Sequence, residues 1–476
     1  MQGKIHWDER PHIFPFEDPD AVSICRLAPG RSGLTVEWID GKRDGVYLLE
    51  YRAMYANDPW QSRRVEGYEA HIDGLEPWRD YEVRVKRADG GEAPSRYFRT
   101  GGVQGTVINY LHPHDDRYMF SGHALCSPSL IRLPSGRLLA SMDVYDGRGP
   151  QNLSLLFRSE DRGKTWHYVC DLYPLFWGGM FLHRGRLYMM GCSTEFGDVV
   201  IGASDDEGET WTAPSHLFAG SCTVGDGWEQ SPMPIVTYGG RIWAAMEYAG
   251  RIVNRLPTFL SAPEDADLLD PASWRAACPM KLPKSVEGVP GSRMDCLIEG
   301  NLFVSPAGDL RCLMRTDADD IDVFRPRAAV LKVNTEDPDA APELMGYVPM
   351  PCGYNSKFMM RFDEVSGQYI AIGNLPNSPR QPQHRNILAL FASPDAEHWT
   401  TVTRLIDGEH EQLFEVGFQY PSFVFDGDDI LLQVRTATNG SHNFHDANYS
   451  VFHVIPRFRG LLAQSAPQTS NKEAIQ

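Results

Sequence analysis

The chain has 476 residues, more than one ordinary domain needs, so two domains are expected. Hydrophobic residues make up 42%, and 43 glycines with 34 prolines suit a turn-rich all-β protein with a large core. A formal charge of −18 argues against nucleic acid or an anionic membrane as a partner, yet leaves room for a small anionic ligand held by local arginines.

Nine cysteines, an odd number without CxxC or Cys/His spacing, read as reduced thiols. Residues 1–20 have no apolar core, and no run of about 18 apolar residues occurs anywhere. As written, the chain is expected to be cytoplasmic, or secreted if a signal peptide was removed. No P-loop, dinucleotide fingerprint, nucleophile elbow or HExxH motif appears, so no cofactor and no metal are expected.

Residues 1–19 are polar and are expected to form an arm. From 20 to 102, short runs alternate apolar and polar side chains, the pattern of strands with one buried face. Leu34, Val36 and Trp38 share a face, as do Tyr47, Leu49 and Tyr51, and the turn Gly74-Leu75-Glu76-Pro77 leads into Tyr81, Val83 and Val85. The early tryptophan and this turn resemble a fibronectin type III module, a seven-stranded β-sandwich of this length. Such modules are spacers or docking surfaces, so no chemistry is expected there. Gly101-Gly102 reads as a hinge.

From 103 to 460 the sequence is strand, turn, strand throughout. Two octets, at 159–166 and 204–211, both read Ser-x-Asp-x-Gly-x-Thr-Trp, and their serines stand 45 positions apart. Asp and Ser cap backbone amides of a tight turn, and Gly supplies its positive φ. A worn copy lies at 393–399, and 261–274 reads as a fourth with an insertion. Hairpins repeating at this period indicate propeller blades; the length suits six, with five or seven also compatible. The octets resemble the Asp-box of the sialidase superfamily. The expected architecture is therefore all-β: a fibronectin type III-like β-sandwich, then a six-bladed sialidase-like β-propeller. The tail, 461–476, is polar and expected to be disordered.

The resemblance also assigns roles. The hairpin from Glu299 to Arg315 is similar to the sialidase hairpin carrying the glutamate that activates a catalytic tyrosine and one arginine of the substrate-carboxylate triad. Arg385, eight residues before the serine of the worn octet, looks like a second triad arginine, and Tyr420, opening the last blade, takes the place of the nucleophile. A phenol becomes a nucleophile once a carboxylate takes its proton, and a neutral oxygen avoids repulsion by an anionic sugar. The remaining arginine of the triad is replaced by Cys126. For the acid/base aspartate, Asp146 and Asp143 are both candidates. His123, Trp228 (placed to stack on a sugar) and Arg435 are the other candidate substrate-binding residues.

The expected activity is exo-acting hydrolysis of a glycan or glycoside, an acidic sugar other than common sialosides, because Cys126 removes one cation. A uronate-specific lyase on the same propeller and a non-catalytic carbohydrate-binding propeller remain alternatives. The expected partner is a carbohydrate, with the oligomeric state open.

Overall fold

The computed structural model describes residues 5–6, 22–42, 45–55, 57–146, 149–221, 226–250, 254–289, 291–319, 326–354, 356–377, 384–412 and 414–465. Most of the expected arm, Cys222 and residues 466–476 lie outside these. The eight described cysteines are free. Among the described residues, no helix is long and apolar enough to cross a membrane.

Seven strands near the N-terminus form two sheets over one core. Val22–Pro29, Leu34–Asp40 and Glu69–Ile72 make the first; Gln61–Glu66, Val46–Ala53, Asp80–Arg87 and Arg96–Arg99, in that spatial order, make the second. The two-residue alternation sends Leu34, Val36, Trp38, Tyr47, Leu49, Tyr81, Val83 and Val85 into a shared interior. Tyr81 Oη accepts the Glu76 amide at 3.0 Å, pinning the turn seen in the sequence.

Six further sheets follow, and the first strands of neighbouring blades meet around an axis. Blade 1 opens with Ala124–Arg132, blade 2 with Phe176–His183, blade 4 with Arg293–Val304, blade 5 with Met359–Asp363 and blade 6 with Gly417–Asp426. The opening strand of blade 3 is split into Asp226–Glu229 and Val236–Tyr238, both paired with Arg241–Gly250. Side chains stitch neighbouring blades: Ser129 Oγ accepts the Met180 amide at 3.0 Å, Asn301 Oδ1 that of Met360 at 2.7 Å, and Ser422 Oγ that of Leu130 at 2.9 Å. The ring closes because Thr106–Tyr110, which precedes blade 1, forms the outer strand of blade 6 against Tyr449–Ile455.

The octets join the third and fourth strands of blades 1 and 2, and the worn copy does so in blade 5. In each clean copy the aspartate receives its serine and both the amide and hydroxyl of its threonine: Asp161 at 2.8, 2.8 and 2.7 Å, Asp206 at 2.9, 2.8 and 2.6 Å. In the worn copy His398 replaces the threonine, with both its amide and its ring 2.8 Å from Asp395. These aspartates are consumed by turn geometry, as the hairpin reading requires.

Two expectations are corrected. The tail does not become irregular at 461: Phe458–Ser465 is a helix whose Phe458 and Leu462 enter the core between blades 5 and 6. Arg459 clamps that helix to Asp363. Nor is the sandwich hung from a hinge. Its core runs on into Tyr110, Tyr449 and Val451 of blade 6. Arg26 Nε donates to the Ile108 carbonyl at 2.7 Å, and the Arg96–Asp115 ion pair is buried across the junction.

Candidate active site

The chemistry is set by a fault repeated in the opening strands. Register slips between Cys126 and Ser129, Phe176 and Gly179, Ile298 and Asn301, and Gln419 and Ser422. Within each slip one non-glycine residue has positive φ: Ser127 at 47°, Trp177 at 57°, Glu299 at 59° and Tyr420 at 53°. Such a backbone costs about 1–2 kcal/mol per residue and persists where surrounding contacts over-determine it. A bulge leaves the ladder and re-aims its side chain. Here Glu299 and Tyr420 converge on one guanidinium.

Arg315, on the second strand of blade 4, donates from Nη1 to Glu299 Oε2 at 2.9 Å and to Tyr420 Oη at 3.4 Å. Its other edge grips Asp317 through two bonds of 2.7 Å. Among the described residues no hydrogen bond joins Tyr420 to Glu299 directly. Burial pushes the Glu299 carboxyl up, but Arg315 and Lys357 outweigh it and leave the group below its ordinary value. Burial and then the Glu299 charge raise Tyr420, with Arg315, Arg385 and Arg435 acting against them. The resting pair is therefore a carboxylate and a neutral phenol.

Cations surround the Tyr420 ring. Arg435 lies 4.9 Å from its centroid, Arg385 5.4 Å and the Lys357 ammonium 5.7 Å. Arg385 is steadied by Gln419 at 2.6 Å; burial lowers its pKa, and Arg315 and Arg435 push the same way. Lys357 donates to the Pro232 carbonyl across the axis at 3.0 Å, and burial brings it down to about 8. Arg435 holds His445, whose imidazole burial and Arg435 depress to about 4, so it is neutral. The fully buried Cys126 thiol, standing where the resemblance places an arginine, feels the charge of Arg435. The third arginine near the Tyr420 ring, Arg435, stands on the second strand of blade 6.

The two candidate acids separate. Asp143 is 1% exposed and accepts from Ser154 and from the Trp177 amide at 2.7 Å, so it braces blade 1 against blade 2. Asp146 lines a cavity of about 520 Å³ with His123, Tyr145, His442 and Asp446. Tyr145 connects this cavity to the cage, because Arg435 lies 5.5 Å from its ring. His123 stands in the same cavity wall. A larger cavity of about 690 Å³ at the far ends of the opening strands is lined by Leu302, Phe303, Met360 and Phe425 and holds none of these residues.

Trp228 corrects an expectation. It is 7% exposed, wedged between Phe218 and Tyr248, with its indole donating to the Ala219 carbonyl at 3.0 Å. It is core and does not face a sugar. Lys357 went unread in the sequence; the signal that could have found it is its distance after the Glu299 hairpin, where another opening strand was due.

A β-propeller with its candidate site at the axial end of the opening strands is the class this geometry defines. The chain belongs to the BNR repeat-like domain family, whose model matches residues 186–432. Its fold is similar to that of the leech intramolecular trans-sialidase, at 10% identity and a TM-score of 0.50 over 94% of this chain and 93% of that one. A Hadza microbial sialidase aligns at 14% identity and a TM-score of 0.49, covering 92% and 94%. An α-L-arabinanase of Penicillium chrysogenum aligns at 14% and 0.49, covering 75% and 98%. No curated protein matches the sequence.

Proposed function

We propose that this chain is a sialidase-like exo-glycoside hydrolase acting on an acidic sugar other than common sialosides. The observation that carries the reading is the cage of Arg315, Arg385, Arg435 and Lys357 around the Tyr420 phenol. A sugar carboxylate bound by Arg385 and Arg435 relieves the mutual repulsion of those guanidiniums, through charge-assisted hydrogen bonds each worth about 1.5–3 kcal/mol. That anchoring sets the anomeric carbon over Tyr420 Oη. The phenol attacks, its proton passes to Glu299, and Asp146 protonates the departing oxygen. Water then releases the sugar from the tyrosyl intermediate with Asp146 as base, and Glu299 returns its proton to the departing Tyr420 oxygen.

Because one cation comes from blade 6 and not from the position of Cys126, the carboxylate seat is displaced around the ring. A uronic acid carries its carboxylate on C5, across the ring oxygen from the anomeric carbon, whereas a sialic acid carries it on the anomeric carbon itself, and the uronic acid suits the displaced seat better. The sandwich is proposed to be a fibronectin type III-like brace for blades 1 and 6. A second reading, a carbohydrate-binding propeller without turnover, is favoured by the absence of a direct Tyr420–Glu299 bond among the described residues. A panel of 4-methylumbelliferyl uronides, sialoside and neutral glycosides decides between them. Turnover of a uronide that Tyr420→Phe abolishes supports the hydrolase. Binding of an acidic sugar without turnover supports the second reading, and efficient turnover of the sialoside, at about 10⁴ M⁻¹s⁻¹ or more, contradicts the substrate assignment.

A further inference from the structure

We propose that Glu247, on the strand Arg241–Gly250 of blade 3, is a positioning residue that aims Glu299 from behind as an uncharged acceptor; this rests on the reading of Glu299 as the base for Tyr420. Glu247 is 1% exposed, and its Oε1 accepts the Glu299 amide at 2.8 Å. The slip between Ile298 and Asn301 takes that amide out of the strand ladder. A buried amide without an acceptor is rare and costly, so the bond decides where the strained Glu299 backbone settles. From there the Glu299 carboxylate meets Ser231 and Arg315.

The groups facing Glu247 explain its charge state. Glu229 is its cross-strand partner and takes the Arg255 guanidinium at 2.6 Å. Glu299 lies on its other side, and the buried thiols of Cys192 and Cys312 are its further titratable neighbours. Burial, then Glu229 and Glu299, push the Glu247 carboxyl well above its ordinary value. Burial raises Glu229 too, although its ion pair with Arg255 acts against that, and Arg315 and Lys357 hold Glu299 down; Glu247, dry and with no ion pair of its own among the described residues, is the one that keeps its proton. A protonated carboxyl still accepts through its carbonyl oxygen, and a carboxamide of the same size does the same. Glutamine is therefore expected to replace Glu247, and leucine is not.

The test uses the full chain labelled with carbon-13 at glutamate side-chain carboxyls, as parent, Glu247→Gln, Glu247→Leu and Glu299→Gln. The signal missing from Glu247→Gln should sit at the position of a protonated carboxyl near neutral pH. The signal missing from Glu299→Gln should be unchanged in Glu247→Gln and displaced in Glu247→Leu. On any glycoside the parent turns over, Glu247→Gln should keep kcat within about threefold, and Glu247→Leu should lose about ten- to hundredfold with KM little altered. A Glu299 signal and kcat untouched in Glu247→Leu would overturn the proposal, as would Glu247→Gln disturbing both as much as leucine does. Failure of the hydrolase reading shows separately, as absent turnover in the parent, and leaves the carboxyl signals to decide.

Discussion

Tyr420 and Glu299 are joined through one atom: Nη1 of Arg315 lies 3.4 Å from the phenol oxygen and 2.9 Å from the carboxylate. The proton path from nucleophile to base is therefore closed at rest by the cation that holds both. An arriving sugar carboxylate offers that guanidinium another partner, and catalytic hydrogen bonds commonly tighten only once substrate is bound.

The first prediction concerns that atom. Arg315→Met leaves Glu299 and Asp317 without their shared cation in a buried setting. Removing one member of a buried pair costs about 3–5 kcal/mol, so thermal unfolding should fall accordingly. Turnover should drop further than in Arg385→Met, because among the described residues only Arg315 hydrogen-bonds nucleophile and base together. Equal losses in the two variants, measured by unfolding and by kcat on the same glycoside, would show that Arg315 is merely one of several substrate anchors.

A second prediction concerns the sandwich. Arg96→Met strands Asp115, which is wholly buried, and should cost about 3–5 kcal/mol in stability. Deletion of residues 1–102 should give an aggregated or non-cooperatively melting chain, since it bares Tyr110, Tyr449 and Val451. A soluble truncated propeller with a sharp melt would restore the hinge reading of Gly101-Gly102.

Sequence legibility followed the range of the interactions. The octets and hairpins are local, since Ser, Asp, Gly and Thr act within a few residues of one another, and they announced blades 1, 2 and 5 directly. Glu299, Arg315 and Tyr420 could be named because the hairpin and the strand that carry them resemble those of sialidases. Arg435, also named from the sequence, meets the Tyr420 ring within blade 6, whereas Lys357 joins the cage from blade 5, through a contact between blades, which no spacing encodes. Trp228 failed for the same reason: a tryptophan beginning a strand looks the same whether its neighbour is a sugar or Tyr248 of the next strand. The sandwich junction was hidden because apolar Tyr110 and Tyr449 read as ordinary strand residues until their partners were known.

The third prediction is a pH dependence. His453 is 8% exposed and burial lowers its pKa to about 4 from an ordinary 6.5. The unfolded chain therefore binds a proton between those values that the folded chain refuses. Stability is fully present above 6.5 and falls as pH drops toward 4, by up to about 3 kcal/mol from this group. His453→Leu should flatten that part of the melting profile. An unchanged slope in the variant would assign the acid sensitivity elsewhere.

The most direct measurement is covalent trapping of the nucleophile. The chain is incubated with 2-fluoro uronosyl fluorides and with a difluorinated sialic acid, then examined as intact protein and as peptides by mass spectrometry. The fluorine slows release of the glycosyl-enzyme, so a tyrosyl adduct accumulates. The expected result is one uronosyl adduct on Tyr420, absent in Tyr420→Phe and formed slowly or not at all with the sialic acid reagent. An adduct on Asp146 or Glu299, or an adduct that survives Tyr420→Phe, would contradict the account.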